Sequence, residues 1–174
     1  MNIFVLDNDP VNAARQMCNK HIVKMVLESA QLLCSPFPEN SAPYKRTHYN
    51  HPCAKWIRET SQNYQWLLLH AFALCDEYNI RYYKTHKSSV IIKWAYLNYN
   101  NLNLPSIGLT PFPQCMPEEY KVPNNAVQAY RNYYINEKQK FAKWKNTEEP
   151  DWFKEGCINK QINSTSKSRV ENVS

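Results

Sequence analysis

Glycine is almost absent from this chain: Gly108 and Gly156 are the two glycines among 174 residues. They lie too far apart for a G-x-G-x-x-G fingerprint or a P-loop, in which closely spaced glycines let the backbone approach a phosphate. The sequence therefore excludes Rossmann dehydrogenases, P-loop NTPases and protein kinases. Asn-Gly and Asp-Gly, the dipeptides that tight hairpins favour, do not occur either, which disfavours an all-β sandwich.

The remaining composition is that of a folded domain. Hydrophobic residues make up 43% of the chain and charged residues 21%, so disorder of the whole chain is not expected. We expect a mainly α fold with a single compact helical domain over residues 1–158. Residues 159–174 carry few apolar anchors, which predicts a disordered polar tail.

Apolar residues spaced three and four apart predict about four helices. Asp9-Pro10 and His51-Pro52 are helix starts, in which an acceptor side chain at the N-cap precedes a proline at the first helical position. Residues 3–6 form at most one short N-terminal strand. A segment with five prolines, residues 103–123, breaks the regular structure; we call it the strap and expect it to be ordered by its apolar side chains. The predicted helices span about 10–34, 52–81, 88–99 and 125–144.

The cysteine pattern and the chain start favour an intracellular protein. No C-x-x-C pair occurs, and no basic segment precedes the apolar residues at the start as in a signal peptide, so we interpret the cysteines as free thiols. The longest apolar stretch, residues 66–75, is short for a membrane span and contains His70. We therefore expect no membrane partner. The six cysteines are Cys18, Cys34, Cys53, Cys75, Cys115 and Cys157.

A polar stripe on the first long helix is one candidate site. His21, Lys24, Glu28 and Gln31 fall within about 80° of one another at 100° per residue. The stripe borders the apolar face instead of opposing it, a position that favours shifted pKa values and general acid–base catalysis. His21 and Glu28 are the candidate catalytic residues here and Lys24 a ligand-binding one. The alternative is a solvated helix edge with an ordinary ion pair.

The second candidate site is the loop before the second helix, together with the first turns of that helix. A helix N-terminus offers free N–H groups and a positive dipole end to a phosphate. His48 and His51 are its candidate catalytic residues; alternatively, His51 caps the helix and His48 is an exposed loop residue. We call this set the loop cluster, whose predicted ligand-binding residues are Tyr44, Lys45, Arg46, Thr47, Tyr49, Asn50, Lys55 and Arg58.

A metal site is a further alternative. Cys18, His21, His48 and His51 have side chains that zinc binds, with Cys53 to spare. Cys18, however, falls on the apolar face of its helix, and the other thiols complete no familiar pattern. We therefore expect no metal ligands and no cofactor.

Five segments of the chain resemble a group of small proteins of tailed phages, especially marine ones, and the resemblance extends over about residues 1–153. That resemblance implies a viral setting, in the cytoplasm of an infected bacterial host, and does not specify an activity. The segments are MNIFVLDNDP, CNKHIVKMVLESAQLL, YKRTHYNHPCAKW, LTPFPQCMPEEYKVP and AVQAYRNYYINEKQKFAKW.

The chain is also similar to the pyrimidine-dimer DNA glycosylases of the phage endonuclease V type. Those enzymes are small, helical and metal-free, and use the N-terminal amine as a Schiff-base nucleophile with a glutamate on the first long helix. The resemblance places Glu28 at the position of that glutamate, with His21 earlier on the same face of the helix. Asn2 is too bulky for ordinary removal of Met1, and Lys20 and Lys24 replace the arginine cluster of the family.

Three functions follow from these observations. The formal net charge of +6 suits a ligand with a few phosphates, so the first hypothesis is a viral protein that binds, or cleaves without metal, a nucleotide such as an immune cyclic nucleotide or an ADP-ribose-type messenger. The alternatives are a DNA repair glycosylase with AP lyase activity and a non-enzymatic protein-binding component. A homodimer is compatible with a helical domain this small, because a second copy can complete a pocket across a two-fold interface.

Overall fold

The computed structural model describes residues 1–171, and within that range the chain is mainly helical and contains no strand. The prediction of a mainly α fold is confirmed, but the structure has seven α-helices where about four were expected. No helix among the described residues is both long and apolar enough to cross a membrane. The helices are α1 (Pro10–Arg15), α2 (Asn19–Cys34), α3 (Pro52–Glu59), α4 (Ser61–Tyr82), α5 (Ser89–Asn98), α6 (Ala126–Tyr133) and α7 (Asp151–Glu171).

Two of the predicted helices are each divided in two by a buried residue with extended backbone. Cys18, with φ −69° and ψ 160°, separates α1 from α2. Thr60, with φ −144° and ψ 157°, separates α3 from α4, and its side chain caps α4 by accepting from the Asn63 N–H. Apolar spacing continues across both breaks because the flanking helices pack on the same core. The continuous helices predicted over 10–34 and 52–81 were therefore wrong.

The predicted strand at residues 3–6 is also not formed. These residues are buried, but Phe4 has a positive φ of 57°, and the Leu6 N–H donates to the Phe4 carbonyl at 2.9 Å. Since no neighbouring strand exists among the described residues, the segment enters the core as a tight turn instead.

Helix α4 lies at the centre of the fold and packs against α1, α2, α3 and α5. Near its end, the fully buried Arg81 forms an ion pair with Glu77 at 3.0 Å. The same guanidinium donates to the carbonyls of Arg15, at the end of α1, and of Met17, in the segment that joins α1 to α2. This network fixes the break between α1 and α2 against α4.

The strap is ordered, as the sequence predicts, and lies across α3 and α4. Trp56 donates from its indole N–H to the Thr110 carbonyl at 3.2 Å, and the Thr110 N–H donates to Asn63 Oδ1 at 2.9 Å. The Phe112 ring packs at 5.1 Å from that of Trp56. The strap also contains a turn of 3₁₀ helix at Glu118–Tyr120.

The C-terminal third departs from the predicted boundaries. Asn125 caps α6, but α6 continues only through a π-helical turn, Tyr134–Lys138, and not to residue 144 as predicted. Residues 159–171, expected to belong to a disordered tail, continue α7. Their side chains are exposed as far as residue 170 and add nothing to the core. Residues 172–174 lie outside the described residues.

Candidate functional site

The chain start and helix α2 together place an amine beside a carboxylate. Glu28 lies on the inner side of α2, and its side chain is only 11% exposed. Its Oε2 lies 3.8 Å from the α-amino nitrogen of Met1 and accepts a hydrogen bond from the Asn2 N–H at 3.2 Å. We call this arrangement of Met1, Asn2 and Glu28 the amine site.

The first two residues are held firmly at the amine site. The Met1 side chain is 2% exposed and packs against the core, whereas the residue as a whole is half-buried, so its exposed surface belongs to main-chain atoms. Asn2 donates from Nδ2 to the Cys115 carbonyl at 2.8 Å. Its Oδ1 accepts from the Tyr130 hydroxyl at 2.9 Å. The amine is therefore positioned by the core, the strap and α6.

Lys24 completes the charge pattern of this site. Its ammonium lies 3.4 Å from Oε1 of Glu28, one helical turn away, and its side chain is 66% exposed. Glu28 thus has a cation near each of its two oxygens. Because the Lys24 end of this pair is exposed, solvent screens the interaction, and the ammonium can also contact an anionic ligand.

His21, on the same stripe, is placed differently. Its ring is buried, stacks on Phe4 at 4.2 Å, and forms a hydrogen bond through Nδ1 with the Tyr134 hydroxyl. Burial, followed by the nearby charges of Lys138 and Lys24, lowers the pKa of His21 to about 3. His21 therefore lies in the core as a neutral side chain. The structure brings Glu28 and Lys24 together and encloses His21 separately.

Three further side chains converge beside the amine site. His51 caps α3, with Nδ1 accepting from the Cys53 N–H at 3.1 Å. The Sγ atoms of Cys53 and Cys115 lie 3.7 Å apart. The Cys53 thiol donates to Cys115, which lowers the pKa of Cys115 to about 7 and raises that of Cys53. Burial lowers the pKa of His51; the positive N-terminal amine lowers it further, and the Glu28 carboxylate opposes this.

Within the loop cluster, Tyr49 is held between two arginines. The guanidinium carbons of Arg46 and Arg58 lie 4.3 and 3.6 Å from the centre of its ring. Arg46 also donates to the carbonyls of Ser35 and Phe37, and Arg58 donates to the Tyr49 carbonyl at 2.8 Å. Both arginines therefore have structural partners, and they form a cationic surface at the start of α3.

The other residues of the loop cluster divide between structural contacts and exposed positions. The Tyr44 hydroxyl forms a hydrogen bond with Ser88 Oγ at 2.9 Å. His48, with a φ of 49°, forms one with Thr47 at 2.8 Å. The residues with exposed side chains are Lys45, His48, Tyr49, Asn50 and Lys55.

The four residues weighed as zinc ligands do not converge within residues 1–171. Cys18 and His21 both contact Tyr134 in the core, whereas His48 is exposed in the loop. Of that set, His51 alone lies beside the amine site.

One comparison with known proteins decides the family. The family model of the pyrimidine dimer DNA glycosylases matches residues 1–90, just over half of the chain. The chain belongs to the pyrimidine dimer DNA glycosylase family. No curated protein and no solved structure matches it.

The match to the pyrimidine dimer DNA glycosylase family includes the chain start, Glu28 and the whole loop cluster. The strap and helices α6 and α7 lie beyond it. Sequence reasoning missed Asn2 and Cys115, which join the strap to the amine site. Cys115 is a single cysteine in a proline-rich segment, so no local motif marks it as functional. Its contacts, Asn2 and Cys53, are more than 60 residues away in the sequence.

Proposed function

We propose that the protein is a DNA repair glycosylase with AP lyase activity, acting on pyrimidine dimers through its N-terminal amine. The observation that carries this proposal is the 3.8 Å separation between the Met1 amine and Glu28 Oε2. An amine is a nucleophile towards C1′ of a deoxyribose, and a carboxylate at this distance can take or return its protons. The family match supports the same chemistry.

The reaction needs an amine, a proton carrier and water. The neutral amine of Met1 bonds to C1′ while the glycosidic bond breaks, and the base takes the electron pair of that bond together with the proton that Glu28 removes from the amine. Opening of the sugar gives an imine. Loss of a C2′ proton then expels the 3′ phosphate, and water hydrolyses the imine to free the amine. Glu28 accepts the proton of the attacking amine and supports the positive charge of the imine.

The amine site and the loop cluster both offer cations to a DNA backbone. Lys24, Lys45 and Lys55 are exposed, and Arg46 and Arg58 add fixed charge around Tyr49. Phosphate contacts by lysine and arginine position a protein on DNA without reading its sequence. We propose that the loop cluster holds the phosphates that flank the lesion.

DNA repair was an alternative hypothesis from the sequence. The family match supports it better than the leading hypothesis of a small nucleotide ligand. Cyclic nucleotides, ADP-ribose-type messengers and a purely protein-binding role receive no support from it. The phage setting, the host cytoplasm and the homodimer stay predictions.

Borohydride trapping tests the proposal. Incubating the full chain with abasic duplex DNA and borohydride reduces the imine to a stable amine, and peptide mass spectrometry locates it. We expect the DNA remnant on the α-amine of the N-terminal peptide. A matched protein with a short uncleaved extension before Met1, which moves the amine away from Glu28, should form no adduct.

Two outcomes would contradict the proposal. One is the absence of any adduct with the unextended protein under conditions where a known AP lyase is trapped. The other is an adduct on an internal lysine such as Lys24, which would show that the lyase amine lies elsewhere.

A further inference from the structure

The convergence of His51, Cys53 and Cys115 serves no step of the glycosylase reaction. Their ligand atoms lie within 4.8 Å of one another. His51 and Cys53 come from the start of α3 and Cys115 from the middle of the strap, 62 residues further along the chain than Cys53. Among the described residues, these three histidine and cysteine side chains lie close enough to one another to share a metal ion.

We propose that His51, Cys53 and Cys115 bind one Zn²⁺ ion through an imidazole nitrogen and two thiolates, with a water molecule as the fourth ligand. Thiolate and imidazole are the ligands that select zinc over the oxygen-binding cations. Each thiol gives its proton to solvent as it binds, so the bound thiolates neutralise the charge of the ion.

The separation of the sulfur atoms fits this geometry. Two Zn–S bonds of about 2.3 Å at a tetrahedral angle place the sulfurs about 3.8 Å apart, and the Sγ atoms of Cys53 and Cys115 are 3.7 Å apart. The His51 ring nitrogen lies within 4.8 Å of both sulfur atoms, and a tetrahedral N···S edge is about 3.5 Å, so a shift of at most about 1.3 Å brings the nitrogen to bonding distance. The Nδ1 lone pair of His51 now accepts a hydrogen bond from the Cys53 N–H. If His51 binds the ion through Nδ1, this lone pair bonds to the metal and the hydrogen bond is lost.

The main chain around the ligands is already fixed. The Cys115 carbonyl accepts from Asn2 Nδ2 at 2.8 Å, and its N–H donates to the Tyr130 hydroxyl at 3.2 Å. Tyr130 is fully buried, and Cys53 is buried in the first turn of α3. Outer contacts of this kind orient ligands and raise metal affinity. The ion would tie the strap to α3 beside the amine site.

This site is separate from the glycosylase proposal. Cys115 lies beyond residues 1–90, the part of the chain that matches the family, and the imine chemistry uses neither thiol. Zinc binding and lyase activity are therefore measured independently, and one can fail while the other holds.

Cobalt and zinc titrations test the site on the full, reduced, metal-free chain under anaerobic conditions. We expect one Co²⁺ per chain, with a thiolate-to-cobalt charge-transfer band and the visible bands of a tetrahedral ion, and displacement of Co²⁺ by Zn²⁺. Cys53→Ser and Cys115→Ser should remove the charge-transfer band or halve it, and His51→Ala should weaken Zn²⁺ binding at least about tenfold. Cys75→Ser, at another half-buried free cysteine, should bind as the wild type does.

Alkylation of the wild-type chain makes the test independent of how the variants fold. Because Cys53 is buried, the readout is the half-buried Cys115. Zn²⁺ should protect Cys115 from iodoacetamide and leave Cys75 unprotected, as read from peptide masses. The proposal is overturned if Zn²⁺ gives no protection, if Co²⁺ binding shows no thiolate band, or if the Cys53→Ser and Cys115→Ser double variant binds Zn²⁺ as tightly as the wild type. A Cys53–Cys115 disulfide that persists in the reduced protein, seen as a mass lower by two hydrogen atoms, also overturns it.

Discussion

The carboxylate of Glu28 lies 3.8 Å from the α-amine of Met1, and the side chains of both residues are largely buried. Helix α2 brings the carboxylate to this point, and the packed Met1 side chain together with the hydrogen bonds of Asn2 holds the amine there. A nucleophile and its proton acceptor are thus positioned before substrate arrives. Preorganisation of this kind contributes a large part of an enzymatic rate.

Glu28→Gln tests the carboxylate at the amine site. Glutamine keeps the size of the side chain and can still accept the Asn2 N–H, but it cannot take a proton. We expect cleavage of abasic DNA to slow by about 10²- to 10⁴-fold. The measurement is single-turnover strand cleavage, with melting temperature as the check on folding.

The matched control for this change is Glu39→Gln, at an exposed acidic residue in the loop after α2. It should cleave at the wild-type rate. Cleavage by Glu28→Gln within a few-fold of the wild type would remove Glu28 from the proposed chemistry.

Lys45 and Lys55 test the DNA surface of the loop cluster. Both side chains are exposed, so replacing both by alanine should leave the melting temperature unchanged. If each contacts a phosphate, the slope of log affinity against log salt falls by about 0.9 per lysine. Fluorescence anisotropy over a range of salt concentrations measures it, with Lys167→Ala on α7 as the control.

Arg46→Ala should behave differently from these lysine variants. Its guanidinium donates to the carbonyls of Ser35 and Phe37, which would lose their partners. We expect a destabilisation of about 2 kcal/mol, measured by urea unfolding, in addition to weaker DNA binding. A salt slope unchanged by any of the three substitutions would place the DNA elsewhere.

The sequence predicts helix starts better than helix interruptions. Asp9-Pro10 and His51-Pro52 begin α1 and α3 because a cap and a proline act locally. The breaks at Cys18 and Thr60 depend on how α1, α2, α3 and α4 pack against one another. The spacing of apolar residues does not predict that packing. The short apolar segment at residues 3–6 resembles a strand in composition, but a strand requires a partner that the fold does not supply.

The candidate site shows the same division between local and distant causes. Helical spacing places His21 and Glu28 on the same side of α2. Tyr134, which is 113 residues after His21 in the sequence, forms a hydrogen bond with His21 and helps to bury it. At Glu28, in contrast, the chain start places the Met1 amine beside the carboxylate. The contribution of Cys115 depends on the path of the strap, which no local pattern specifies.

Arg81→Met tests the buried network at the end of α4. Arg81 is fully buried and bonded to Glu77 and to the carbonyls of Met17 and Arg15. Methionine fills the volume but leaves a buried carboxylate without its cation. We expect a loss of about 3–5 kcal/mol in the free energy of unfolding, measured by urea denaturation. An effect below 1 kcal/mol, as expected for an exposed pair, would contradict the network.

Two buried histidines make stability depend on pH. Burial lowers the pKa of His21 to about 3 and that of His70 to about 4, against about 6.5 in the unfolded chain. The unfolded state therefore binds more protons below pH 6.5, so this stability is complete above pH 6.5 and is lost as the pH falls. At pH 5 each histidine should cost about 2 kcal/mol relative to pH 7.5.

Urea unfolding of His70→Leu across this pH range separates the two contributions. The His70 ring donates from Nδ1 to the Pro10 carbonyl at 2.9 Å, so the variant is less stable at every pH, and the informative quantity is the slope with pH. Replacing His70 should reduce the fall in the free energy of unfolding between pH 7.5 and pH 5 by about 2 kcal/mol. An unchanged slope in His70→Leu would mean that its ring is not held neutral in the folded protein.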